Sequence, residues 1–296
     1  MKFQKIVVVD YTGITETGKE RLREFAAEID FYDDFPTDKA EIIRRIGNAD
    51  ALLVSYNTRI TAEIIAACPA LRYIGMCCTL YSEASANVDI RYAREKGITV
   101  LGIRDYGDEG VVEYVISELV SLLHGFGKYR WKEQAYELTG QKVGIIGLGR
   151  TGLMIAEALR FLGARVMYHS RTRKPEAEAK GIDYLSLEQL LQETDIVGTC
   201  LPRNTIILKE PEFRLLGDNK ILFNTSVGIT FDVNVLKGWL AAGNNYYMCD
   251  EVGMGGFEKE LSGMKGVLYT GKVAGHSVQC MERLSAKVIE NIKSLK

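Results

Sequence analysis

The stretch Lys142-Val-Gly-Ile-Ile-Gly-Leu-Gly-Arg-Thr-Gly152 most constrains what this chain can fold into. Residues 143–146 form a short apolar run of the kind used by a strand buried on both faces. Gly147, Gly149 and Gly152 then supply the spacing G-x-G-x-x-G. Leu153, Ala156 and Leu159 follow at helical spacing. In a strand–turn–helix of this kind the first glycine permits the tight turn. The second lets a pyrophosphate approach the backbone, and the third lets the helix sit close on the strand. Free N–H groups and the dipole at the new helix N-terminus hold the phosphates. The pattern predicts a dinucleotide site that includes Gly147, Gly149, Arg150, Thr151 and Gly152.

The rest of the chain repeats this strand–helix alternation. Strands are predicted at 5–10, 49–55, 71–76 and 99–103, with helices at 16–28, 38–48, 61–68 and 88–96. A long helical pattern over 109–126 reads as a bridge between two domains. From 141 the alternation restarts. Strands are predicted at 143–146, 165–169, 195–201, 220–225, 246–250 and 267–273. Helices are predicted at 153–161, 187–193, 210–216, 232–242 and 281–295. Such alternation argues for parallel sheets covered by helices on both faces, and 296 residues suffice for two such domains.

A formal charge of −2 gives no general argument for binding nucleic acid or an anionic membrane. No uninterrupted apolar run reaches membrane-spanning length, and the four apolar residues at 6–9 are too few for a signal peptide. The expectation is a soluble, cytoplasmic protein. The six cysteines lack C-x-x-C spacing and read as buried free thiols. Vicinal Cys77 and Cys78 leave open a thiol or metal site, which neighbouring residues do not reinforce; no metal is expected.

Ligands of open α/β sheets bind outside the carboxyl ends of the strands. The segments at those ends are Met76-Cys-Cys-Thr-Leu80, Ser170-Arg-Thr-Arg-Lys174, Leu201-Pro-Arg203, Ser226-Val-Gly228, Asp250-Glu251 and Gly275-His-Ser277.

Several of these segments, with Glu109-Gly-Val-Val-Glu113, Asp195-Ile-Val197, Leu201-Pro202, Asn224-Thr-Ser226, Asp250 and His276 in order, make the chain resemble the D-isomer-specific 2-hydroxyacid dehydrogenases. Ser170-Arg-Thr-Arg-Lys-Pro175 looks like the family's glyoxylate and hydroxypyruvate reductases. The resemblance implies an α/β fold of two doubly wound parallel-sheet domains. A flavodoxin-like substrate domain would take 1–103, a Rossmann dinucleotide domain 104–277, and the last helix, 278–296, would return to the substrate domain. The active site would lie in the cleft between them. It also implies hydride transfer between a nicotinamide cofactor and a 2-oxo or 2-hydroxy acid. Leu201, Pro202, Thr225 and Asp250 would join the cofactor-binding residues. Family members are commonly homodimers, but 125–140 is shorter here than the usual dimer arm.

Cofactor choice turns on Ser170, 18 residues past Gly152. NAD-preferring members place a carboxylate there. Ser170 with Arg171, Arg173 and Lys174 would instead hold a 2′-phosphate by charge-assisted hydrogen bonds. The expectation is therefore NADP, with NAD possible.

The catalytic set departs from the family's Arg, His and Glu. His276 matches the His that protonates the carbonyl oxygen. The family's N-x-S-R-G is here Asn224-Thr-Ser-Val-Gly228, which puts Val227 where an Arg would pin the substrate carboxylate. No carboxylate stands at the Glu position past Asp250, although Glu251 is close in sequence. The usual glycine-rich turn is replaced by Cys77-Cys-Thr-Leu-Tyr-Ser-Glu-Ala-Ser85. Arg104 and Arg203 are candidates for the displaced anchor, and Tyr81 and Ser82 could add hydroxyls. The alternative is a nucleotide-binding sensor or interaction protein on the same fold, which needs no acid at His276.

Overall fold

The computed structural model describes residues 2–203 and 205–295. The chain forms two compact units, Met1–Tyr106 with Ser277–Lys296, and Gly107–His276.

In the first unit, β1 (Phe3–Val8), α1 (Glu16–Leu22), β2 (Ala26–Phe31), α2 (Lys39–Ile46), β3 (Ala51–Val54), α3 (Ala62–Ala67), β4 (Tyr73–Thr79), α4 (Ile90–Glu95) and β5 (Thr99–Ile103) alternate along the chain. The strands pair in parallel in the order β2-β1-β3-β4-β5. Val7, Leu52, Val54, Ile74 and Met76 pack on one face with Ile46, Ile64 and Ala93 of the covering helices. Ile6, Val8, Leu53 and Tyr73 pack on the other. Four of the five strands, β1, β3, β4 and β5, fall where the sequence predicts them, because apolar runs buried against helices are legible in one dimension.

The helix expected over 16–28 is corrected: it stops at Leu22, and Ala26–Phe31 is the edge strand β2. The N–H groups of Arg23, Glu24 and Phe25 close onto the carbonyls of Glu20, Arg21 and Leu22, and Phe25 O then accepts from Lys2 and Phe3. An edge strand needs only one buried face. Glu28 and Asp30 lie on its charged side, 2.7 and 2.6 Å from Lys5 Nζ. Charge of this kind protects an edge from further pairing, and it also gives the segment a helix-like composition.

The second unit opens with α5 (Asp108–His124), then β6 (Lys142–Ile146), α6 (Arg150–Phe161), β7 (Arg165–His169), α7 (Pro175–Glu178), β8 (Asp183–Tyr184), α8 (Leu187–Glu193) and β9 (Ile196–Thr199). It continues with α9 (Glu210–Leu216), β10 (Ile221–Asn224), α10 (Val233–Ala242), β11 (Tyr246–Cys249), α11 (Glu258–Leu261) and β12 (Val267–Tyr269). Its parallel sheet runs β12-β11-β10-β9-β6-β7-β8. The strand order reverses between β6 and β9, which marks a topological switch point. Val115 and Leu119 of α5, with Ile155 and Leu159 of α6, cover one face. Leu190, Leu216 and Leu240 of α8, α9 and α10 cover the other. α5 lies wholly within this unit.

The last helix, α12 (Val278–Ser294), packs on the first unit's sheet through Leu284, Val288, Ile289 and Ile292. Ser285 Oγ accepts the Thr15 N–H at 3.0 Å, and Asn291 Nδ2 donates to Gly102 O at 3.0 Å. The expected division at 103/104 and 277/278 shifts slightly. Residues 104–106 stay with the first unit, where Arg104 Nε donates to Leu80 O at 2.7 Å. Ser277 goes with α12, whose N-terminus it caps by accepting the Cys280 N–H at 3.0 Å.

Cys77 and Cys78 are adjacent on β4, so their side chains point to opposite faces and join different core clusters. Both are buried, and burial pushes the Cys77 thiol well above its ordinary value. This geometry does not make a two-thiol clamp. Among the described residues there is no group of three or more metal-ligating side chains, and no helix is long and apolar enough to cross a membrane.

Candidate active site at the carboxyl ends of the strands

The glycine turn sits at the switch point, between the carboxyl ends of β6 and β9. Gly147 has φ +97°, and its N–H donates to His169 O at 2.8 Å. A Cβ at Gly147 would lie 2.4 Å from Cys200 O, and one at Gly152 would lie 2.2 Å from Gly147 O. These two glycines are required by the packing of strand, turn and helix. Gly149 differs: a Cβ there would meet nothing within 4 Å. It caps α6, and no side chain caps the first turn of that helix. Orphan N–H groups facing open space are what a pyrophosphate needs, so the turn fits a dinucleotide.

Arg150 and Thr151 begin α6 and are engaged from α5. Arg150 Nε lies 3.3 Å from Asp108 Oδ2, and Thr151 Oγ1 donates to Asp108 Oδ1. Sequence reasoning missed Asp108, because nothing in the motif points to a partner more than forty residues upstream.

At the end of β7, Ser170 Oγ donates to Thr172 O at 2.6 Å. Arg171 and Lys174 are exposed. Arg173 is bound to Glu178 and stands 5.1 Å from the Tyr184 ring. Glu178 also accepts from Tyr168 OH at 2.8 Å, and that oxygen accepts the Lys174 N–H at 2.5 Å. Arg171 and Lys174 therefore present the loop's uncommitted cations, while Arg173 helps hold the loop in shape.

The loops after β9, β10 and β11 are tied together. Leu201 N–H donates to Ser226 Oγ at 2.8 Å, and Thr225 Oγ1 donates to Thr199 O at 3.2 Å. Pro202 and Arg203 follow, both exposed. Asn224 Nδ2 reaches Gly228 O at 2.9 Å and Gly253 O at 3.1 Å. Buried Asp250 accepts the N–H groups of Gly253 and Ala274, each at 2.9 Å. Burial pushes its carboxyl above the usual range, against the lowering effect of those bonds.

Val227 lies 42% exposed on the β10 loop. His276 is exposed, and its N–H donates to Val273 O at 3.0 Å. Glu251 and His276 are both exposed, and no hydrogen bond or ion pair joins them among the described residues. The other histidines take structural positions. His124 stacks on Phe126 at the end of α5, and His169 Nδ1 lies 3.2 Å from Leu185 O.

At the carboxyl ends of β1, β3 and β4 in the first unit stand Tyr11, Tyr56 and Tyr81, exposed by 53%, 51% and 62%. Asp10 accepts Ser55 N–H at 2.9 Å and Ser55 Oγ at 2.6 Å, which ties the first two loops. Arg104 donates to Leu80 O and Tyr81 O, and its guanidinium lies 5.2 Å from the Tyr81 ring.

Comparison with known proteins agrees with this arrangement. Residues 121–289 match the family described as D-isomer specific 2-hydroxyacid dehydrogenase, NAD binding domain. A glyoxylate reductase of Thermococcus kodakarensis is 27% identical over 96% of this chain and 91% of its own. A hydroxypyruvate reductase of Blautia hydrogenotrophica is 29% identical over 65% of this chain and 64% of its own. Among solved structures, an acyclic imino acid reductase in complex with NADPH and D-Arg superposes with a TM-score of 0.82 at 24% identity, over 98% of this chain and 96% of that one. The apo D-lactate dehydrogenase of Escherichia coli superposes with a TM-score of 0.79 at 20% identity, over the same shares. The glycine turn at the switch point, the two parallel sheets and the matched span together place this chain in the D-isomer specific 2-hydroxyacid dehydrogenase family, as an NAD(P)-dependent oxidoreductase.

Proposed function

We propose that this chain reduces the carbonyl of a small 2-oxo acid to the 2-hydroxy acid, with NADPH preferred over NADH and with His276 as the proton donor. The observation that carries the reading is the open approach to Gly149 at the uncapped start of α6. Gly147, Gly149 and Gly152 would admit the pyrophosphate, with the first-turn N–H groups of α6 donating to it. At the end of β7, Ser170, Arg171 and Lys174 would hold a 2′-phosphate, with no carboxylate at Ser170 to repel it. Arg173 would serve by fixing the loop through Glu178. Thr225, Leu201 and Pro202 would border the nicotinamide end, with Asp250 shaping that end through its backbone bonds.

When bound, the reduced nicotinamide supplies a hydride to the carbonyl carbon. His276 delivers a proton to the carbonyl oxygen and, being exposed, regains one from water. Val227 cannot bind a carboxylate, so Arg104 or Arg203 takes that role in this reading. The relatives named as glyoxylate and hydroxypyruvate reductases support a 2-oxo acid.

A second reading, reduction of an imino acid, is favoured by His276 having no carboxylate partner among the described residues. A protonated imine carries its own proton and charge, so less is asked of an acid. NADPH oxidation would be followed with glyoxylate, hydroxypyruvate and pyruvate, each with and without methylamine, and NADH in parallel. The expected result is turnover preferring NADPH that falls about 10²–10⁴-fold in His276→Ala with nucleotide binding intact. Turnover only with methylamine selects the imine reading. Tight NADPH binding without turnover on any of these leaves the sensor reading in its place.

A further inference from the structure

The start of α6 presents a physical contradiction. It is the anion-binding end of a helix, yet the side chains there already face acids. Asp108 accepts from Thr151 Oγ1 with one carboxylate oxygen and lies 3.3 Å from Arg150 Nε with the other. Glu109 Oε1 stands 4.0 Å from Arg150 Nη2. Arg150 is thus held between two carboxylates in the first turn of α5. The Asp108 side chain is only 13% exposed, so its field is poorly screened. α6 contributes no acid of its own to its first turn. The carboxylate comes from the neighbouring helix and is directed at Arg150 and Thr151.

We propose that Asp108 is a positioning residue that acts as a built-in counter-anion of the dinucleotide site. In the empty protein it holds Arg150 and Thr151 in place, and it weakens nucleotide affinity because its charge opposes the incoming pyrophosphate. This goes beyond the proposed function but rests on its claim that the turn binds a dinucleotide. A corollary is easier release of the spent cofactor. The end of β7, with Arg171 and Lys174 exposed, would then supply the attraction that the pyrophosphate corner withholds.

Asp108→Asn removes the charge and keeps the shape. Asp108→Ser, which retains a hydrogen-bonding group at the start of α5, serves if the first variant does not fold. Dissociation constants for NADPH and ADP would be measured by calorimetry on the full chain. The variant is expected to bind both about tenfold more tightly at low ionic strength. The gain should shrink to less than about twofold in 0.5 M NaCl, because screening removes a charge effect and leaves a shape effect untouched. Stopped-flow release of NADPH should slow by a similar factor. Equal or weaker binding by the variant overturns the proposal and leaves the dinucleotide reading standing. Failure of wild type and variant alike to bind either ligand overturns both.

Discussion

At the carboxyl edge of the seven-stranded sheet the chain is shaped by what is missing, and at the carboxyl edge of the five-stranded sheet by what has been added. On the first edge, Cys200 O occupies the space a Gly147 side chain would need, and Gly147 O occupies that of Gly152. On the second edge, loops after the four neighbouring strands β1, β3, β4 and β5 carry Tyr11, Tyr56, Tyr81 and Arg104. Those loops are cross-tied by Asp10 to Ser55 and by Arg104 to the carbonyls of Leu80 and Tyr81. An edge built by close backbone approach tolerates little change where the chains touch, because an atom added at Gly147 or Gly152 meets a main-chain oxygen. An edge built from side chains can be rebuilt loop by loop without disturbing the sheet beneath it. That is a physical reason for one chain to keep a nucleotide turn while its substrate loops differ, as the resemblance implies, from those of its family.

The sharpest test uses two glycines of the same turn. Gly147→Ala places a methyl 2.4 Å from Cys200 O at a backbone φ of +97°. It should cost about 2–4 kcal/mol, lower Tm by about 5–10 °C and abolish NADPH binding. Gly149→Ala has open space and an extended backbone, with φ −79° and ψ −164°. Its stability should stay within about 1 kcal/mol of wild type, while NADPH affinity falls at least about tenfold. Thermal melts and calorimetry on both proteins would read this out. If Gly149→Ala binds NADPH as well as wild type, the open space above that residue is not where the pyrophosphate lies.

The same contrast explains how far the sequence could be read. The glycine turn, the apolar strands β1, β3 and β4 and the long helices were visible because burial on both faces and helical periodicity leave one-dimensional traces. The edge strand β2 was hidden, since Glu28 and Asp30 make it look like the continuation of α1. The two-residue β8 and the four-residue α7 and α11 are too short to leave a period. In the site, the loop positions of Ser170 and Arg171 followed from the end of β7, whereas β12 ends at Tyr269, short of the expected 273, and leaves His276 seven residues past it. The partners did not follow. That Arg150 faces Asp108 and that Arg104 donates to the Leu80 and Tyr81 carbonyls are products of tertiary packing. Sequence separation gives no hint of them.

Breaking the second edge should have a smaller effect than breaking the first. Arg104→Ala removes a guanidinium that bonds Leu80 O and Tyr81 O, and it frees the Tyr81 loop. Arg104 is exposed, so the change should lower Tm by less than about 3 °C. If Arg104 is the substituted anchor, KM for the 2-oxo acid should rise about tenfold with kcat little altered, as loss of a charged hydrogen bond in the ground state predicts. Arg203→Ala, measured alongside, should leave KM within about twofold. The reverse pattern would move the anchor to the β9 loop.

The smallest expected effect comes from restoring what the resemblance says is absent. Val227 sits on a loop already braced by Asn224, whose amide reaches Gly228 O and Gly253 O, and by Ser226, whose hydroxyl accepts from Leu201. At 42% exposure it leaves room for a longer side chain without burying charge. Val227→Arg should therefore fold as wild type, with a stability change within about 0.5 kcal/mol. If the loop still faces the substrate, the added guanidinium should lower KM for glyoxylate about threefold, roughly the contribution of one partly solvated ion pair. It should also rescue part of the loss in Arg104→Ala. An unchanged or raised KM, with no rescue, would mean that the substrate carboxylate has moved away from the β10 loop. The difference between the two sheet edges would then extend to the position of the substrate itself, beyond the identity of the residue that holds it.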